Sequence, residues 1–161
     1  MENETKEIAK LSSEIINSIV LNGDISKLTQ QQKLEYYGAM CQRLGLDPMT
    51  QPFQIIKFVA QGNKEVLYCT KGGAEQLNKK YNVSQEIVSE EMREGLYVVK
   101  ARAKCEGRFV DDMGIVAIPS TKDDNTKLNL MMKAVTKAKR RATISLLGLG
   151  MLDETEVETI P

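Results

Sequence analysis

The sequence predicts an α+β fold, and three observations carry that prediction. Apolar residues recur at helical spacing near both ends of the chain, as in Ile8, Leu11, Ile15, Ile16 and Ile19. Two short apolar runs flank the turn residues Gln61-Gly62-Asn63, the spacing of a β-hairpin. Residues 96–105 alternate with period two, Tyr97, Val99, Ala101 and Ala103 against Val98, Lys100, Arg102 and Lys104. Such alternation marks a strand of an antiparallel sheet covered on one side only.

Each element follows from local chemistry. The first twenty or so residues read as a helix, broken at Asn22-Gly23-Asp24. A second helix begins after Thr29, where Thr29 and Gln32 have the spacing of a capping box. It carries Leu34, Tyr37, Met40, Cys41 and Leu44 and stops at Gly45, a residue suited to a left-handed cap. Asp47-Pro48 and Gln51-Pro52 bracket a loop; strands over 53–59 and 65–69 form the hairpin. Residues 71–81 read as a short helix opened by Gly72-Gly73. Three extended segments follow, 83–89, 96–105 and 108–118, the last two joined by a turn at Glu106-Gly107. The strongest helix spans 125–147, preceded by Asp123-Asp124, carboxylates that suit a helix N-terminus. Runs of strands set beside helices, without βαβ alternation, give the α+β class, a three-stranded antiparallel meander packed on a long basic helix.

The 161 residues divide into an N-terminal helix over 1–28, a candidate oligomerisation arm, a core over 29–150, and an acidic tail over 151–161. Hydrophobic residues make up 42% and charged residues 27%, the balance of a globular chain able to bury a core without staples. Lys plus Arg and Asp plus Glu are equal at 22 each, so a polyanion partner requires that charge be segregated. No apolar run reaches the length of a membrane span, and the acidic Met1-Glu2-Asn3-Glu4 is unlike a secretory leader. Cys41, Cys69 and Cys105 are isolated and odd in number, which suits small buried hydrophobes in a reducing cytoplasm. Histidine is absent, which excludes a histidine triad, a histidine base and a zinc site with histidine ligands. No phosphate-binding P-loop and no Cys-x-x-Cys pair occurs, so no cofactor, metal or catalytic residue is expected.

The candidate binding residues are cationic. On a helical projection of 125–147, Leu128, Met131, Met132, Val135, Ala138, Ala142 and Leu146 fall in one sector. Lys133, Lys137, Arg140 and Arg141 fall opposite, with Lys139 near the apolar sector and no acidic residue between Lys127 and Gly150. Like charges at i,i+4 repel by a few tenths of a kcal/mol, a cost that a bound anion compensates. Phosphate suits both Arg forks and Lys point charges. The alternative is a plain solvated helix face. Lys100, Arg102 and Lys104 share one strand face, with Arg108 across the turn, and could extend a groove for a nucleic-acid backbone. The alternative is a wet sheet face with Glu86 or Glu90 as cross-strand partners. Phe53, Phe58, Tyr68, Tyr81, Tyr97 and Phe109 are core candidates that could also stack on bases. The paired acids Asp111-Asp112 and Asp123-Asp124 leave a metal-dependent nuclease as a further alternative, since two-metal chemistry needs converging carboxylates. Gly148-x-Gly150 ends a helix rather than opening one, so it is no dinucleotide fingerprint.

Several stretches have a familiar form. Cys41-Gln42-Arg43-Leu44-Gly45-Leu46-Asp47-Pro48, followed by Gln51-Pro52-Phe53-Gln54-Ile55-Ile56, resembles the early segment of RecT-type phage recombination proteins. Lys71-Gly72-Gly73-Ala74-Glu75-Gln76-Leu77 resembles the short helix after their hairpin, and residues 133–143 resemble the basic helix near the end of their core. Leu146-Leu147-Gly148-Leu149-Gly150 and then Asp153-Glu154 is similar to the close of the core in ERF-type annealing proteins. The resemblance spans roughly 35–158 and lies more in the order of elements than in the letters. It implies ATP-independent binding and annealing of single-stranded DNA in phage-type recombination, in the cytoplasm of a bacterial host cell. It also implies a homo-oligomeric ring or filament, with a phage exonuclease or a host single-strand binding protein as partners and no membrane. By this resemblance Lys133, Lys137, Arg140 and Arg141 contact phosphate, whereas Lys100, Arg102 and Arg108 rest on strand alternation. A single-strand coating or host-factor-blocking protein on the same scaffold is the nearest alternative, and a purely structural assembly protein a more distant one.

Overall fold

The computed structural model describes residues 11–151, which fall into two compact units, one running through Gly73 and one from Ala74 to Gly150. The boundary lies within the 29–150 segment expected as one core.

In the first unit, Ser12 caps helix α1, Ser13–Asn17, which widens into a π-helical turn over Ser18–Asn22. Ile8 of the expected helix lies outside the described residues. Helix α2, Gln30–Leu44, opens with the capping box expected at Thr29 and Gln32 and closes on Gly45 at φ +67°. Strands β1, Phe53–Phe58, and β2, Lys64–Cys69, pair antiparallel with Phe53 opposite Cys69. Ile15, Ile25 and Leu28 form one buried cluster, with Leu11, Ile19, Tyr36 and Ile55 at its margin. Tyr37 ties α2 to β1: its ring meets Phe53 edge-on at 5.9 Å, and its hydroxyl donates to the Phe53 carbonyl at 2.8 Å. Asp24 accepts from the amides of Ser26 and Glu65, which anchors the loop after α1 to β2. Helix α3, Lys71–Tyr81, runs from the end of this unit into the next.

The second unit is a meander of β3, Ser84–Arg93, β4, Leu96–Cys105, and β5, Arg108–Ala117, packed against helix α4, Asp124–Leu147. The mixed helix-and-sheet class, the hairpin and the meander on a long C-terminal helix are therefore as the sequence predicts. Each strand connection is a two-residue turn, Glu94-Gly95 and Glu106-Gly107, with both residues at positive φ. That geometry matches the right-handed twist of the strands, and glycine supplies it without a Cβ penalty. Strand β3 runs longer than the expected 83–89, because Glu90–Arg93 pair with Leu96–Val99 although their polar sequence carries no strand signal. A bulge lies between Ile87 and Ser89.

Tyr97, Val99, Ala101 and Ala103 are buried against Ala134, Ala138, Ala142 and Leu146, as the alternation of β4 predicts. The helix face is different from the projected one. Leu128 and Met132, placed in the apolar sector, are 59% and 64% exposed, whereas Ala134 is fully buried. The cause is Gly114 on β5. A Cβ built there would lie 2.2 Å from the Ala134 carbonyl oxygen and 2.6 Å from the Ala138 amide nitrogen. The helix backbone rests directly on the strand, so small residues make the contact. A projection weighted by side-chain hydrophobicity favours the large ones instead.

Candidate nucleic-acid interface

The cations of α4 do not form an exposed wall. Lys137 is 8% exposed, where the close approach at Gly114 brings the helix onto the strand, and Arg140 is 9% exposed. The Lys137 Cβ itself would stand 3.1 Å from a Cβ at Gly114. Arg141 donates from Nε to Asp112 Oδ1 at 3.1 Å, both side chains about three-quarters covered. None of the three is without a partner. Of the four helix positions singled out, Lys133 alone is exposed. Of the expected phosphate-binding positions Lys133, Lys137, Arg140 and Arg141, the structure thus leaves the first in water and covers the other three wholly or in part.

The strand cations are arranged as the alternation predicts. Successive residues of a strand point to opposite sides, and β4 buries its odd-numbered residues. Lys100, Arg102 and Lys104 therefore lie in a row on the sheet face turned away from α4. The register sets Met113, Asp111 and Phe109 of β5 opposite them. Lys100 and Lys104 keep 43% and 50% of their side chains exposed, and Arg102 keeps 29%. Arg108 is exposed at the start of β5. Among the described residues, no carboxylate lies within ion-pair distance of Arg108.

This face also carries its own acids. Arg102 grips Asp111 with two hydrogen bonds, 2.6 Å from Nε and 2.9 Å from Nη2. Lys104 reaches Glu86 at 2.9 Å, while Lys100 to Asp111 and Arg102 to Glu86 stand at 3.8 Å. The Arg102 hydrogen bonds hold the Asp111 carboxyl below its ordinary range. Three row cations thus face two carboxylates, with Arg108 in excess. The exposed lysine pairs exchange readily, since most such pairs are worth under about 1 kcal/mol, whereas the two-pronged Arg102–Asp111 pair is held more firmly. Glu90, the other acid expected as a cross-strand partner, lies on the α4 side and accepts from the Tyr97 hydroxyl.

Phe53, Phe58 and Tyr97 are buried core residues. Phe109 is 59% exposed, with the Arg102 guanidinium 4.3 Å from its ring centroid. Leu96, Met113 and Ile115, all between 41% and 47% exposed, add apolar area at the other end of the same face, beside the exposed Arg93–Glu91 pair. Phe109 and Lys104 complete the site, and strand alternation already marks Lys104. The place of Phe109 opposite it depends on the β4–β5 register, which the turn at Glu106-Gly107 sets.

The acidic residues considered for metal chemistry do not converge. Asp111 faces outward on Arg102, Asp112 faces α4 on Arg141, and Asp123 caps α4 by accepting from the Thr126 amide at 2.8 Å. Adjacent strand residues must point apart, so Asp111 and Asp112 cannot chelate together. Among the described residues, no group of three or more potential ligands is placed to hold a metal ion. Nor is any helix long and apolar enough to cross a membrane. Compared with known proteins, the chain matches no family model and no curated sequence.

Proposed function

We propose that this protein binds single-stranded DNA along the outward face of its three-stranded sheet and brings complementary strands together without ATP. The observation that supports this reading is the row Lys100, Arg102 and Lys104, flanked by Arg108 and by the exposed ring of Phe109. Cations in a line track a phosphodiester backbone, and an exposed aromatic ring suits unstacked bases. An extended strand whose charge is partly neutralised pairs with its complement at lower cost. The setting would be phage-type recombination in a bacterial cytoplasm, as the RecT-like stretches imply.

A homo-oligomer is part of the same reading. Exposed Leu96, Met113 and Ile115 at the far end of the face would abut another copy, extending the basic row from one subunit to the next. A phage exonuclease or a host single-strand binding protein would be further partners.

The test is the salt dependence of oligonucleotide binding. Four phosphate contacts give a slope of log K against log salt of about −3 on a single strand. Replacing Lys100, Lys104 and Arg108 with alanine together should flatten it by about 2, whereas Lys133→Ala should leave it nearly unchanged. An unaltered slope in the triple variant refutes the assignment of this face. Faster pairing of complementary fluorescent strands separates annealing from coating, which slows pairing.

A further inference from the structure

A hollow of about 350 Å³ lies at the β4–β5 turn, lined by Asn82, Ser84, Lys104, Cys105, Glu106, Gly107, Arg108 and Phe109. We propose that it holds one unpaired nucleotide, its base stacked on Phe109 and its phosphate on Arg108 and Lys104. This rests on the single-strand reading above and goes beyond it by naming a fixed base-docking position.

Phe109, 59% exposed on a strand, leaves apolar area in water, and its register partner Lys104 does not cover it. Arg102 lies over the ring at 4.3 Å, so a flat ligand on the free side would complete a stack of guanidinium, ring and base. The guanidinium is held in that pose by Asp111 through two hydrogen bonds, which makes the platform rigid before any ligand arrives.

The rim supplies the remaining chemistry. Asn82 and Ser84 make no side-chain hydrogen bond among the described residues, leaving an amide and a hydroxyl for base edges or sugar. Arg108 has no carboxylate partner among the described residues, and Lys104 shares Glu86 at 2.9 Å. Glu106, at φ +51°, stands on the same rim and opposes an anion. Of the two cations, Lys104 is shared with Glu86, which leaves Arg108 as the principal phosphate contact and suits the single charge of a phosphodiester over a more highly charged ligand. The hollow is at the small end of ligand-site sizes, which suits one nucleotide rather than a longer segment.

The experiment compares the full chain on a thymidine oligonucleotide and on an abasic strand of equal length at one salt concentration. The wild type should bind the base-bearing strand about tenfold more tightly, the loss typical of one base–aromatic stack. Phe109→Ala should remove that preference, bringing the two strands to equal affinity. The chain has no tryptophan, so Phe109→Trp provides a single reporter, whose fluorescence should be quenched by the base-bearing strand alone. Glu106→Gln should tighten both strands. Equal wild-type binding of the two strands, or an unquenched Trp on a bound strand, overturns the base position while leaving the single-strand reading intact. Failure to bind either strand overturns both.

Discussion

Replacing Gly114 by alanine tests whether backbone contact between α4 and β5 organises the second unit. The added methyl would stand 2.2 Å from the Ala134 carbonyl oxygen, 2.6 Å from the Ala138 amide nitrogen and 3.1 Å from the Lys137 Cβ. The two nearest atoms are helix backbone, so no rotamer change relieves them. A carbon–oxygen contact requires about 3.3 Å, so the helix must retreat by roughly 1 Å. Overpacking of a close-packed core costs about 1–3 kcal/mol, and removing a strand glycine returns about 0.5–1 kcal/mol. Because the retreat also loosens Ala134 and Ala138 from the sheet, a net loss near 2 kcal/mol is expected. Native-state hydrogen exchange on β4 and β5 amides reads this unit separately from the first. Gly38→Ala in α2 is the control, since a Cβ there meets nothing within 4 Å and should stabilise by about 0.5–1 kcal/mol. Exchange in Gly114→Ala within 0.5 kcal/mol of wild type would refute the close-approach argument.

Arg141→Ala leaves the Asp112 carboxylate without its guanidinium, and a loss of about 1–2 kcal/mol in urea unfolding is expected, with the salt slope of DNA binding unchanged. A flattened slope would return Arg141 to the binding face. Asp111→Asn removes the charge that engages Arg102 and Lys100 while keeping a carbonyl oxygen to accept from the Arg102 guanidinium, so oligonucleotide affinity should rise several-fold and the salt slope steepen; unchanged binding would show that the Asp111 charge does not limit the face. Stability should also fall in acid. Asp111 is depressed by its Arg102 hydrogen bonds and Asp123 by those from Thr126. Burial pulls Asp24 upward, but amide bonds from Glu65 and Ser26 outweigh it. For depressed carboxyls the stabilisation is fully present above the ordinary value of 3.8 and is lost as pH falls through the lower folded values. Urea midpoints should therefore hold steady from pH 7 to about 5 and then drop toward pH 2.5, and a flat profile would count against these contacts.

Much of the fold is legible in single stretches of sequence because the signal is local. The Thr29–Gln32 box, the cap at Gly45 and the acids before α4 each satisfy helix-end backbone groups within four residues. The alternation of β4 is legible because one face is buried and the other wet. The second half of β3 is not, since Glu90–Arg93 are strand by pairing with β4 rather than by their own pattern. The site divides in the same way. Lys100, Arg102 and Lys104 follow from period two alone. The covering of Lys137 does not, because it depends on a glycine twenty-odd residues away on another element.

By itself the sequence determined the α+β class, the order of elements and the row of cations on one strand, because helix caps, turns and alternation act over a few residues. Tertiary structure alone decided which cations stay in water. Gly114 lets α4 rest on the sheet at Lys137, packing covers Arg140 as well, and the β4–β5 register places Phe109 opposite Lys104 and Asp111 against Arg102. Charge segregation is a property of surfaces, and a surface exists only once distant elements have packed.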